Sequence, residues 1–198
     1  MTDPERVTGF EGNINPVVLE KVVPMEELQA LGIFYRSRHQ RISFTTGAFD
    51  MIHVGHVRYL ELARSLGDLL VVGLNSDLSV KQLKGDSRPI LAERLRAEML
   101  CYLASVAYVV IFPETTGAKT INILKPDAYL CVEGSWDGDL ASKEEVRAMS
   151  GIGGKVYYSP RQNPTLSTSA IIERVIELER PKIIEELQRT FANGNGQK

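Results

Sequence analysis

Thr45-Thr46-Gly47-Ala48-Phe49-Asp50-Met51-Ile52-His53-Val54-Gly55-His56 is the stretch whose reading decides the fold. Just upstream, the apolar run from Ile42 reads as a buried strand, expected over Ile42 to Phe49. Just downstream, Val57, Leu60, Leu62, Ala63 and Leu66 recur at helical spacing as far as Gly67, a natural helix stop. Next, Leu69-Leu70-Val71-Val72-Gly73-Leu74-Asn75 is continuously apolar, as a parallel strand buried on both faces must be. Strand, helix and strand within about 35 residues form a βαβ unit with a right-handed crossover. Two of the chain's three histidines, His53 and His56, fall at its strand-to-helix junction.

Working outward, residues 1 to about 23 mix Gly, Pro, Asn and charge without a period and read as an irregular arm. Pro24 opens a helix over Met25 to about Ser37, with acids in its first turn. On the other side, Ser79 to Pro89 is polar and basic and reads as a loop. Helices are expected over Glu93–Leu103, Thr116–Leu124 and Leu140–Met149. Strands are expected over Tyr108–Phe112, Asp127–Val132 and Lys155–Tyr158. A last helix runs from Ser167 or Thr168 to Arg180, where Pro181 interrupts it or starts another. Ile183, Ile184, Leu187 and Phe191 continue an apolar stripe at helical spacing, either a dimer surface or packing on the same domain. The alternation predicts a Rossmann-like, doubly wound α/β fold: a five-stranded parallel sheet with helices on both faces. The expected organisation is an arm and helix over 1–40, the main domain over 41–180, and a helix with a frayed tail over 181–198.

Composition narrows the function. With 198 residues, 43% hydrophobic and 24% charged, the chain can build one sizeable core. A formal net charge of −2 gives no electrostatic footprint for nucleic acid or a membrane surface. Cys101 and Cys131 both lie in apolar runs and read as buried free thiols. The N-terminal residues lack the apolar core of a secretory signal, and no apolar run approaches the roughly 20 residues that cross a bilayer. The expected location is cytoplasmic.

In open α/β sheets ligands sit beyond the carboxyl ends of the strands, where His53 and His56 fall. The following helix start offers unpaired N–H groups and the positive end of its dipole, a phosphate site. Gly47 and Gly55 remove bulk where a phosphate or base approaches the backbone. The histidine pair could also be half a zinc site, but no Cys or third His lies at metal spacing; or it could simply cap and pack the helix. His39 reads as a surface residue. Other nucleotide-binding and acyl-transfer motifs are missing from the sequence. There is no GxxxxGK[ST], no GxGxxG after the first strand and no GxSxG elbow. Gly151-Ile152-Gly153-Gly154 precedes a strand and reads as a turn.

Gly47-Ala48-Phe49-Asp50-Met51-Ile52-His53-Val54-Gly55-His56 resembles the GxFDxxHxGH motif of the cytidylyltransferase-like nucleotidyltransferases. Leu166-Ser167-Thr168-Ser169-Ala170-Ile171-Ile172 resembles the family's second signature. Within the family the chain is most similar to the adenylyltransferase domains of bacterial ADP-heptose synthases, which act on D-glycero-β-D-manno-heptose 1-phosphate. Lys21 to Leu28, Asn75 to Pro89 and Ala92-Glu93-Arg94 carry that similarity, over roughly residues 20 to 178. One run departs. Cys131-Val132-Glu133-Gly134-Ser135-Trp136 stands where those domains carry a Lys-Gly-Gly-Asp-Tyr-like run, and its Trp is similar to that of the glycerol-3-phosphate cytidylyltransferases.

The resemblance implies transfer of a nucleoside monophosphate from ATP or CTP to a phosphorylated small-molecule acceptor, with release of pyrophosphate and Mg²⁺ accompanying the triphosphate. His53, His56 and Lys84 would be the catalytic residues, the histidines stabilising charge on the phosphates because imidazole can be positive near neutral pH. Thr46, Gly47, Ala48, Phe49, Gly55, Arg94, Arg161, Ser167, Thr168 and Ser169 would bind the nucleotide. Asp50, Lys81, Glu133 and Trp136 would face the acceptor, although Asp50 also reads as a residue that orders its loop. Arg94 could equally form a surface ion pair, and Ser167 to Ser169 a plain helix cap. The Ser79–Pro89 loop would act as a lid. No protein metal-ligand set is implied, and a homodimer is expected. Two other readings stand beside this one: a cytidylyltransferase or FAD-synthetase-like enzyme with another acceptor, and a regulatory nucleotide-binding module without turnover.

Overall fold

The computed structural model describes residues 20–133, 143–163 and 165–194. The described residues fall into two compact units, one up to Gln162 and a second from Asn163.

The first unit is built on β1 (Ile42–Gly47), β2 (Leu69–Asn75), β3 (Tyr108–Phe112), β4 (Ala128–Val132) and β5 (Lys155–Ser159), in the order β3-β2-β1-β4-β5. Every pairing is parallel, with Ile42 opposite Leu69, Val71 opposite Tyr108, Ser43 opposite Ala128 and Ala128 opposite Lys155. Winding outward in both directions from β1 makes the β1/β4 seam the switch point of the sheet. The helices are α1 (Leu28–Arg36, after a 3₁₀ turn Met25–Glu27), α2 (Val54–Ser65), α3 (Asp77–Lys84), α4 (Glu93–Cys101), α5 (Ala118–Leu124) and α6 (Glu144–Gly151).

The pleat of β2 shows why both faces must be covered. Leu70, Val72 and Leu74 join Tyr59, Leu60 and Ala63 of α2 and Ala97, Leu100 and Cys101 of α4 in one core. Leu69 and Val71 point the other way, to Leu28 of α1, Ile121 and Leu124 of α5, and Ala148 and Met149 of α6. The expected doubly wound architecture is therefore present, and both cysteines are buried and free.

Several elements differ from the expectation. β1 stops at Gly47 because Phe49 (φ 44°) and Met51 (φ 51°) are left-handed, a conformation that cannot continue a strand. Lys21 to Val23 is not irregular. Its backbone bonds to Val109 on both sides (2.8 and 2.9 Å), and the Lys21 Nζ donates to the Cys101 and Val106 carbonyls, covering the outer edge of β3. The first half of Ser79–Pro89 is helix, not loop. Ser76 caps α3 by accepting from the Ser79 N–H (3.1 Å), and Gly85 ends it at φ 89°. Gly67 is not a left-handed cap. A Cβ there would lie 2.7 Å from the Ser43 nitrogen and 2.8 Å from the Arg41 carbonyl, so glycine serves the close approach of α2's exit to β1.

The second unit contains α7 (Thr168–Gly194), which carries Pro181 without ending. Proline removes one backbone donor, and the ion pairs Arg174–Glu177, Lys182–Glu179 and Arg189–Glu185 support the turns around it.

Candidate active site

The loop after β1 delivers two histidines to the start of α2 in reciprocal contact. His53, extended at φ −132°, is the N-cap, and its Nδ1 accepts from the Gly55 N–H (3.2 Å). The His53 N–H donates to Nδ1 of His56 (3.4 Å), and the two rings stack at 3.9 Å between centroids. The Phe49 ring meets His56 edge-on at 5.6 Å, which explains why the chain turns left-handed at Phe49: it drives that side chain into the core.

This arrangement fixes chemistry as well as position. With Nδ1 of each ring accepting from the backbone, the proton of each neutral imidazole is on Nε2, which is left as the ring's donor. Burial pushes both rings below their ordinary pKa, and in His56 the neighbouring His53 and Lys84 add to the effect against the opposing Asp50, bringing it to about 4. Burial thus works against the expected positive imidazole and favours the neutral form of both rings in the free site. The free site presents two neutral Nε2–H donors.

Positive charge comes from elsewhere. Lys84, the last residue of α3, is within electrostatic reach of Asp50, Arg88, Arg96 and Arg161. Partial loss of water pushes its ammonium below the ordinary lysine range, the three guanidiniums act in the same direction, and Asp50 opposes them. Asp50 is buried and orders its surroundings. Its oxygens accept from the Ile90 and Leu91 N–H groups (2.8 and 3.0 Å), and Arg88 lies 3.6 Å away.

The remaining sequence-derived candidates separate clearly. The Thr46 hydroxyl bonds to the Tyr129 hydroxyl (2.9 Å), and Gly47 faces the Phe49 ring, which a Cβ would meet at 3.0 Å. The Ala48 carbonyl accepts from Arg96. Lys81 is exposed one turn before Lys84. Arg94 is exposed on α4, and the arginine of that helix within reach of Lys84 is Arg96. Glu133 is exposed, with its N–H on the Ser159 carbonyl (2.8 Å) beside the end of β5. Trp136 lies outside the described residues. In the second unit Ser167 caps α7, its Oγ accepting from the Ala170 N–H (3.1 Å), with Thr168 and Ser169 in the first turn.

Sequence reading missed Arg96. The signal was there: it shares a helical face with Ala97, Leu100 and Cys101, all buried, and a charge on a buried face needs partners. Among the described residues no group of three His, Cys, Asp or Glu side chains could hold a metal ion, and no helix is long and apolar enough to cross a membrane.

A doubly wound sheet with two histidine donors and cationic side chains at the carboxyl end of its central strand makes an α/β domain with a candidate phosphate-binding site. The chain belongs to the cytidylyltransferase-like family, whose sequence profile matches residues 44–174. It is 41% identical over 180 residues to the bifunctional protein HldE of a Nitratiruptor species, covering 86% of this chain and 36% of that protein. It is 46% identical over 158 residues to the bifunctional protein HldE of a Helicobacter pylori strain, covering 78% and 31%. The chain thus spans about a third of the length of these relatives. Among solved structures it is similar to a lipopolysaccharide core biosynthesis protein from Thermoplasma volcanium (TM-score 0.52, 25% identity, 62% of this chain and 98% of that one). The pantoate-beta-alanine ligase of Francisella tularensis shares the fold (TM-score 0.51, 14% identity, 74% of this chain and 70% of that one).

Proposed function

We propose that this protein transfers AMP from ATP to a sugar 1-phosphate of the heptose 1-phosphate type, releasing pyrophosphate. The observation that carries this reading is the locked histidine pair: two Nε2–H donors, fixed by backbone bonds, within electrostatic reach of Lys84. The acceptor's phosphate oxygen is already anionic. It attacks the α-phosphorus as the bond to the bridging oxygen of pyrophosphate breaks, and no proton has to be removed from the nucleophile. What the protein supplies is alignment and stabilisation of developing charge.

In this reading His53 and His56 donate to the α-phosphate and to the departing oxygen. Lys84 neutralises the pyrophosphate, Arg161 clamps the triphosphate, and Lys81 meets the acceptor's phosphate. Thr46, Gly47, Ala48, Phe49 and Gly55 form the floor. Ser167, Thr168 and Ser169 bind the terminal phosphates, an assignment that rests on their motif, as Arg94's does. Glu133 and Trp136 belong to the run that selects the acceptor. Mg²⁺ accompanies ATP and screens its charge. The metal would be held mainly by the triphosphate's oxygens and by water, since magnesium keeps several waters and phosphate oxygens as ligands and needs few from the protein. We place the protein in the cytoplasm, where the triphosphate is available. We also propose a homodimer through the Ile183, Ile184, Leu187 and Phe191 stripe; a monomeric mass by light scattering would exclude it.

The test is pyrophosphate release with ATP, CTP, GTP and UTP crossed against heptose 1-phosphate, glycerol 3-phosphate and FMN. The expected outcome is turnover with ATP and heptose 1-phosphate. Turnover only with CTP and glycerol 3-phosphate would reassign base and acceptor, the outcome that the tryptophan-bearing run Val132 to Trp136 favours. No release from any pair would end the enzymatic reading.

A further inference from the structure

Arg96 is fully buried, yet it belongs to none of the groups that touch phosphate in the proposed reaction. Its guanidinium is committed inside the protein. Nε donates to the Leu91 carbonyl (2.9 Å), one terminal nitrogen to the Ala48 carbonyl, and the other to the Asn75 carbonyl (2.9 Å) and Asp77 Oδ1 (2.8 Å). Those four acceptors belong to three separate segments. Ala48 is in the loop that carries His53. Asn75 and Asp77 join the end of β2 to the start of α3, whose last residue is Lys84. Leu91 is in the connection to α4.

We infer that Arg96 is a positioning residue for nucleotidyl transfer, fixing the histidine-bearing loop relative to the lysine-bearing helix. The inference rests on the nucleotidyltransferase reading. The connections close into a ring. Asp50, two residues after Ala48, holds the Leu91 N–H while Arg96 holds the Leu91 carbonyl. The Glu93 carboxylate also accepts from the Asp77 N–H (2.7 Å), so α3 and α4 start in register. α3 is a rigid two-turn rod, so fixing Asp77 at one end fixes the place of Lys84 at the other. The planar fork of arginine is what allows one side chain to meet four acceptors in different directions. A lysine presents a single ammonium and cannot span them. The ring also limits the lid expected from the sequence: α3 is tied at its start, and only the turn from Gly85 to Ser87 lies between it and the anchored Arg88–Leu91 segment.

The test compares Arg96→Lys and Arg96→Met with Leu100→Ala, a cavity variant on the same helix that makes none of the Arg96 hydrogen bonds, in the pyrophosphate-release assay with the pair on which the wild type turns over. All are assayed well below their melting temperatures, which are recorded. The expected result is a fall in kcat of roughly 10- to 100-fold for Arg96→Lys, with KM for the nucleotide within about threefold of wild type, as small misplacement of reacting groups produces. Leu100→Ala should lose thermal stability but keep kcat. If Arg96→Met does not fold, Asp77→Asn carries the same comparison, with a fall of about 3- to 10-fold expected. Wild-type kcat in Arg96→Lys, or the same kcat loss in Leu100→Ala at a matched melting temperature, would overturn the positioning role while leaving the enzymatic reading intact. A wild-type chain that releases no pyrophosphate would overturn both.

Discussion

Replacing His56 by asparagine should remove a specific part of this protein's acid sensitivity. The native ring is held neutral to about pH 4, whereas in the unfolded chain it takes a proton near its ordinary 6.5. Between those values the unfolded state binds the extra proton, so stability falls as pH falls. The contribution is complete above pH 6.5 and fully lost below about 4. Each pH unit in that window corresponds to about 1.4 kcal/mol, so lowering the pH from 7.5 to 5 costs about 2 kcal/mol through this one ring. That figure is an upper one, because water still reaches part of the side chain. Asparagine keeps an oxygen that can accept from the His53 N–H but cannot titrate. Urea unfolding of both proteins at pH 7.5 and pH 5 gives the comparison directly. The wild type should lose about 1–2 kcal/mol more than the variant over that interval. Parallel losses would refute the neutral, half-buried His56 and with it the assignment of Nε2–H as a donor in the resting site.

Two further outcomes follow from the same structure. His53→Ala removes one phosphate donor and the acceptor that caps the Gly55 N–H. Pyrophosphate release should fall by roughly 100- to 1000-fold while nucleotide affinity, followed by calorimetry, stays within about tenfold; unchanged turnover would exclude His53 from the reaction. Gly67→Ala places a methyl against the backbone of Arg41 to Ser43, at 2.7 to 3.2 Å, so the start of β1 must move. A loss of about 1–3 kcal/mol in urea unfolding is expected, and a loss below about 0.5 kcal/mol would show that the two segments separate easily.

The strands were readable because parallel strands buried on both faces are continuous apolar runs, and β2 and β3 lie where those runs do. The motif residues were readable because glycines and histidines at a strand-to-helix junction have few other uses. What misled the reading was context that lies far away in sequence. Phe49 looks like the last residue of a strand, but its ring is needed against His56 and the α2–α4 core, so the backbone turns first. Arg96 shares the apolar face of Ala97, Leu100 and Cys101 and Arg94 does not, but what the buried guanidinium meets is set by the loops packed around it. Gly67 marks the end of α2 in sequence, yet the reason for glycine is the backbone of β1, 24 residues earlier at Ser43.

The sequence by itself determined the architecture, the family resemblance and the place of the histidine pair, because apolar periodicity and local turn chemistry are properties of neighbouring residues. Only the tertiary structure decided which way burial pushes the protonation of that pair and which groups the arginine behind it holds. Both depend on burial and on partners brought from other strands and helices, and a pKa or a hydrogen-bond network has no value until those partners are in place.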